Sequence, residues 1–387
     1  MTVIDLRDEL YERQIEIIEI TDDFVYYAEE LRVDGVDCIY LYSYSFSDEN
    51  EQIMSHFAFD DETYLQHYYP CKDSIIVLFE NDGSKVWIVK IDKNTCEEVL
   101  RKSVPLIGRF SECVPVDDNN IIIYTKSNDE KRELFNRCLE ETNSDTIANL
   151  YDIEKGYRYF IKDFDTARLV KNSMHTFKNS RQKEYLLLCD PYADEKTKEE
   201  LAKDSDKISE DIRDNIWLIS KKKFLDGVKR GKEHLECRRI ASAGIEGFVR
   251  FECIGNDRII FRAKKFSTGQ ERFCAMSTSS GEVTPIAPVR DISQDACYFT
   301  DGSGGKVYYL TRDFDTITLR GEINSSANIT YPESIGKIEC CIDDRFIIAD
   351  TSQSSESPMF SIYDGKKNFT DTHQTHLSAS GDKVILY

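Results

Sequence analysis

The sequence lacks CxxC, GxSxG, GxGxxG and GxxxxGK[ST] segments. These absences exclude a paired-cysteine zinc site, a nucleophile elbow, a dinucleotide fingerprint and a phosphate loop. Gly302-Ser303-Gly304-Gly305-Lys306 has the glycines of a phosphate loop but not the spacing, and Val307 follows where a magnesium-binding hydroxyl belongs. It reads as a glycine-rich hairpin. No apolar run approaches the roughly 18 residues that a membrane helix needs, so no membrane span is expected. Met1–Glu9 is acidic, with no basic stretch ahead of an apolar core. A secretion signal is therefore not visible, and a cytoplasmic location is expected.

The chain does have a folded composition: 40% hydrophobic residues against a net charge of −21 over 387 residues. The acidic balance opposes binding along a nucleic-acid backbone, which needs clustered Lys and Arg. Twelve cysteines are spread between Cys38 and Cys341. Most lie among strand-forming residues, where a reduced thiol acts as a small hydrophobe. Free thiols are expected to outnumber disulfides.

Two kinds of strand recur. The first follows a polar turn and is a run of β-branched, aliphatic and aromatic residues: Asp23–Ala28, Asp73–Phe79, Asp118–Tyr124, Glu184–Cys189, Asn256–Phe261, Asp295–Phe299, Asp344–Ala349 and Asp382–Tyr387. The second follows at Cys38–Tyr44, Val86–Asp92, Asn149–Glu154, Asn215–Ser220, Arg272–Ser277, Lys306–Thr311 and Pro358–Asp364. Most intervals match the roughly 40–50 residues of a four-stranded propeller blade. Two longer intervals hold helix-forming insertions, 128–141 and 191–213. In the first, Leu134 with Cys138 and Phe135 with Leu139 are at helical spacing. Asn81-Asp82-Gly83, Glu154-Lys155-Gly156, Ser279-Ser280-Gly281 and Asp364-Gly365 supply hairpin turns.

This pattern resembles bacterial β-propeller repeat proteins, without the Gly-His and Trp-Asp signatures of WD40 blades. The resemblance implies an all-β chain forming one propeller domain over 1–387, with short helical insertions in the third and fourth repeats. Seven blades are expected, with eight as the alternative. Gln14–Ile20 reads as an extra strand, expected to pair with the C-terminal strands His376–Ala379 and Lys383–Tyr387, which would close the ring and hide exposed strand edges.

Few segments carry recognisable chemistry. Lys162-Asp163-Phe164-Asp165-Thr166 and Arg312-Asp313-Phe314-Asp315-Thr316 are a close internal match. A calcium loop would need more oxygen ligands and a Gly, so both read as turns between outer strands. His373 and His376, spaced HxxH, are the candidate metal pair, and a third ligand would have to come from another blade. No cofactor is expected. The densest basic cluster, Lys221, Lys222, Lys223, Lys229, Arg230 and Lys232, is the candidate docking point for an acidic protein partner. With no catalytic signature, the expected function is a non-enzymatic interaction platform displaying its loops and insertions to a protein partner. The alternative is an enzyme or a small-ligand or metal binder, using acidic residues that converge in the axial channel.

Overall fold

The computed structural model describes residues 2–6, 9–10, 13–58, 63–81, 85–126, five positions within 133–140, 146–191, 193–203, 213–255, 257–286 and 290–291, and the segments 298–300, 307–313, 316–322, 328–332, 337–342, 345–350, 359–363, 377–380 and 383–387. His373, His376 and the glycine-rich hairpin at Gly302–Lys306 lie outside the described residues.

The described strands group into eight sheets. The first holds Ile15–Ile20, Phe24–Val33, Val36–Ser45 and Asn50–Ala58, and the second Thr63–Pro70, Ser74–Asn81, Lys85–Asp92 and Glu97–Pro105. The third holds Arg109–Asp117, Asn120–Lys126, Thr146–Asp152 and Tyr157–Phe160, and the fourth Met174–Lys178, Glu184–Asp190, Asp214–Ser220 and Arg238–Ala243. The fifth runs from Gly247 to Asp291, the sixth from Tyr298 to Pro332 and the seventh from Lys337 to Tyr363. Most neighbouring strands within a sheet pair antiparallel through connections of a few residues, and in the fifth Arg290–Asp291 pairs back onto Gln270–Ser277. The eighth joins the two ends of the sequence: Thr2–Asp5 runs parallel to Lys383–Leu386, which pairs antiparallel with Leu377–Ser380.

The chain is therefore all-β with short helices. The expected count of seven is not confirmed, because the terminal strands make a sheet of their own. The strand expected at Gln14–Ile20 belongs to the first sheet. A three-residue turn gives it a local antiparallel partner, Phe24–Val33, and Thr2–Asp5 takes the place beside the last strand.

Three helices are described in full: α1, Phe164–Asn172; α2, Glu195–Ala202; and α3, Lys221–Lys229. Helix α1 corrects the reading of Lys162–Thr166 as an outer-strand turn. Asp163 caps it by accepting hydrogen bonds from the Thr166 backbone N–H and hydroxyl, both at 3.0 Å. The matching Arg312-Asp313 ends the strand Val307–Asp313, and Thr316 opens the next. One pentapeptide thus starts a helix in one place and joins two strands in another. Glu133, Phe135, Asn136, Arg137 and Glu140 in the first insertion are helical, and buried Phe135 packs with Ile147 and Phe164.

The chain forms two compact units: Met1–Tyr11, Phe177–Leu218 and Arg238–Tyr387 make one, and Glu12–Thr176 and Ile219–Cys237 the other. In the second unit the first and second sheets pack through Tyr26, Leu41, Met54, Phe57, Ile75, Val77 and Val89. Ile76, Leu78, Val86, Ile88, Ile121 and Ile123 join the second sheet to the third. Each buried aliphatic contributes about 1.5–3 kcal/mol. In the first unit, Leu187, Ile216, Val249, Ile259 and Met276 form the corresponding core.

A register slip recurs in the first strand of five sheets, between Ile17 and Glu19, Leu65 and His67, Phe110 and Glu112, Phe251 and Cys253, and Ile338 and Cys340. Each is a bulge that adds one residue and sharpens the local twist.

Eight cysteines among the described residues, including Cys71, Cys113 and Cys274, carry free thiols. Burial pushes the Cys71 thiol up to about 12. Among the described residues no helix is long and apolar enough to cross a membrane.

His175 Nε2 lies 3.0 Å from the Ser173 hydroxyl, and burial pushes the imidazole below its ordinary value. The unfolded chain then binds the proton more readily than the folded one. Stability is retained above about pH 6.5, where both states are neutral, and falls as the pH drops toward the folded value. Melting temperatures at pH 7.5 and 5.5 should show a smaller acid loss in His175→Gln than in the parent. Equal losses would refute this.

Candidate functional site

A polar cleft lies where turns of the first and second sheets face each other. Its volume is about 470 Å³. Four turns build it, and side-chain hydrogen bonds fix them, from within the turn or, at Asp73 and Ser74, from Asp118. In the turn before Phe24, the Phe24 N–H donates to the Thr21 hydroxyl at 3.0 Å, and that hydroxyl donates to the Phe24 carbonyl at 3.0 Å. The Phe46 N–H donates to the Asp23 carbonyl at 2.9 Å, fastening this turn to the one after Ser45. There the Ser45 hydroxyl donates to Asp48 at 3.1 Å.

Across the cleft, the Lys93 N–H donates to the Asp73 carbonyl at 3.1 Å. Lys72 pairs with the Asp73 carboxylate at 2.9 Å. Asp92 accepts from the Asn94 and Thr95 N–H groups at 2.8 and 3.0 Å. The Thr95 and Asn94 amides hold the Asp92 carboxyl below its usual range. The turn ends at Cys96, whose φ of 55° lies in the left-handed region, and its thiol sits 3.5 Å from the Ser43 hydroxyl.

Lys93 anchors the floor and is only 8% exposed. Its ammonium pairs with Glu19, donates to the Cys71 carbonyl and sits 5.5 Å from the centre of the Tyr26 ring. Burial pushes the Tyr26 phenol up to about 12, so it stays a neutral donor. Asn50, Gln52 and Asn94 line the walls with exposed amides. Those amides make no side-chain hydrogen bond among the described residues. The cleft therefore offers amide and hydroxyl donors, carboxylate acceptors and the apolar rings of Phe24 and Tyr26.

The residues singled out from sequence fall elsewhere. Lys221, Lys222, Lys223 and Lys229 lie on α3, with Arg230 and Lys232 just beyond it. Phe224 and Val228 are its buried face. Lys221 pairs with Asp117 at 3.5 Å, and Lys229 pairs with Asp152 at 3.4 Å and sits 5.8 Å from the centre of the Tyr159 ring. Lys222, Lys223, Arg230 and Lys232 are exposed. Part of the basic cluster thus fastens α3 to the third sheet. Among the described residues no group of three or more His, Cys, Asp or Glu could hold a metal ion.

No protein-family model and no curated protein sequence matches the chain. Solved structures do. Dipeptidyl peptidase 4 from Porphyromonas gingivalis is 10% identical, with a TM-score of 0.52, over 96% of this chain and 55% of that one. The β-propeller domain of the Trilobed protease from Pyrococcus furiosus is 11% identical, with a TM-score of 0.44, over 92% of this chain and 97% of that one. The chain is a β-propeller. Oligopeptidase B from Trypanosoma brucei is also similar, at 11% identity and a TM-score of 0.47, over 96% of this chain and 49% of that one. The propeller spans about half the length of the two larger peptidases.

The likeness to dipeptidyl peptidase 4 corrects the expectation of a non-enzymatic interaction platform. The fold is one that peptidases carry, so missing catalytic signatures do not make it a display scaffold. The cleft also escaped the sequence reading. Its residues are ordinary turn formers scattered over 21–96, and their one local signal was the Asp-Lys-Asn-Thr-Cys turn at 92–96.

Proposed function

We propose that this propeller binds a small hydroxyl-rich molecule, of the size and chemistry of a sugar, in the cleft between its first and second sheets. The observation that carries this reading is the set of side-chain amides, Asn50, Gln52 and Asn94, that face one cleft with no protein partner among the described residues. A cleft of about 470 Å³ is within the ordinary range for small-molecule sites. Amides and carboxylates together give and accept hydrogen bonds, as neighbouring hydroxyl groups require. The rings of Phe24 and Tyr26 offer an apolar surface to the carbon face of such a ligand.

Calorimetric titration with a panel of mono- and disaccharides tests this reading. At least one should bind, and Gln52→Ala or Asn94→Ala should weaken it by about three- to tenfold, the worth of one hydrogen bond. Because Cys96 lines the cleft, the bound sugar should also slow its alkylation by iodoacetamide. If no sugar binds and none protects Cys96, the reading is wrong.

A further inference from the structure

At the opposite end of the same two sheets lies a smaller hollow of about 250 Å³. His56, Phe57 and Ala58 end the outermost strand of the first sheet, and Phe79, Trp87, Val89 and Arg101 complete the lining from the second. We propose that this hollow is a second ligand site, taking a planar aromatic carboxylate of one or two rings.

The floor is aromatic. The rings of Phe57 and Phe79 meet with centroids 4.9 Å apart and planes inclined at 54°. Trp87 stands in register with Phe79 and Ser103, on the sheet face where Val89 and Ile91 are 1% and 0% exposed. Trp87 itself is 38% exposed. A large aromatic side chain thus faces the hollow from a position whose neighbours are core. An apolar cavity of about 150 Å³ suffices for benzene, so this one admits a ring with its acid group.

The rim supplies the charge. The Arg101 guanidinium lies 5.6 Å from the centre of the Phe57 ring, a favourable placement over an aromatic face. It donates to Glu98 through Nε at 2.9 Å and Nη2 at 2.6 Å. Nη1 has no partner among the described residues, so its donors remain for an incoming carboxylate. His56 stacks on Tyr40 with centroids 5.6 Å apart. Its ring nitrogens make no hydrogen bond among the described residues. An apolar floor with a few polar groups on one side is the usual composition of a small-molecule pocket.

The molecule holds two tryptophans, so Trp217→Phe leaves emission to Trp87 alone. In that variant phenylacetate should change the fluorescence saturably. Benzyl alcohol, with the ring but no charge, should bind about tenfold more weakly, and acetate not at all. Arg101→Gln should bring phenylacetate down to the benzyl alcohol affinity without changing that of the alcohol. Gln52→Ala should leave phenylacetate binding unchanged, which separates this site from the cleft. If Trp217→Phe does not fold, saturation-transfer NMR on the parent gives the same ranking of the three probes. The proposal is overturned if phenylacetate does not saturate, if acetate matches it, or if Arg101→Gln binds it as the parent does.

Discussion

Replacing Asp214 by Ala should lower stability by about 3–5 kcal/mol, the cost of removing one partner from a buried charge pair. Asp214 and the side chain of Lys198 are both 0% exposed, with the ammonium 2.9 Å from the carboxylate. Lys198 spends its remaining protons on the carbonyls of Gly244 and Gly247, at 3.2 and 2.9 Å. Arg250 also pairs with Asp214, and the Val249 N–H donates to it at 3.3 Å. Burial pushes the Lys198 amine below its ordinary value, and Asp214 opposes that shift. Without the carboxylate, a fully buried ammonium and the partly exposed Arg250 guanidinium beside it lose their counter-charge. Lys198→Met should cost less, because its stem still packs and Asp214 keeps Arg250. Urea unfolding in a Trp87→Phe background, followed by the emission of Trp217 in the strand that Asp214 opens, measures both. A loss below about 1 kcal/mol in Asp214→Ala would refute this account. Helix α2 is thus fastened to the fold through the one lysine it buries.

Gly108→Ala should be the most damaging of the substitutions at the described glycines of the Glu12–Thr176 segment, Gly35, Gly108 and Gly156. Gly108 has φ 92°, and an added Cβ would stand 2.3 Å from the Lys126 carbonyl oxygen and 2.8 Å from the Phe135 ring. The left-handed backbone alone costs about 1–3 kcal/mol for other residues. Here the Lys126 carbonyl must also move, at the edge of the cluster formed by Phe135, Ile147 and Phe164. Gly35, at φ 84° with nothing within 4 Å of an added Cβ, isolates the backbone cost. The melting temperature should fall further in Gly108→Ala than in Gly35→Ala. Equal falls would show that the close approach does not matter.

How much of this was legible depended on burial. Asn120–Lys126 is buried at six successive positions, and its four apolar ones, Ile121–Tyr124, show as an unbroken run. Glu97–Pro105 is buried only at Val104 and left no run to find. The opening strands lose their period-two pattern at the recurrent bulge, where one residue is added and the alternation changes face. In the sixth sheet, whose described opening pair carries no such slip, the reading is out by one strand: Asp295–Phe299 and Lys306–Thr311 correspond to its first and second strands, not its second and third. Helix α1 was illegible because its cap, Asp163 with Thr166, uses the chemistry of a turn. Lys198 was illegible too, since its helix is nearly all polar and nothing local marks a lysine that turns inward. The cleft depends on turns that meet only after two sheets have packed.

The sheet that unites the two ends of the sequence has a mechanical consequence. Thr2 stands opposite Lys383 and Asp5 opposite Leu386, and the Leu6 N–H donates to the Leu386 carbonyl at 2.9 Å. Because the two strands run in the same direction, tension applied at the first and last residues drags them past each other along their length. Their hydrogen bonds are then loaded together in shear, whereas an antiparallel pair at the same place would peel open one bond at a time. Resistance to such pulling is set by the rate of rupture rather than by equilibrium stability. This short sheet is thus a clamp that must slip as a whole before force reaches the rest of the molecule.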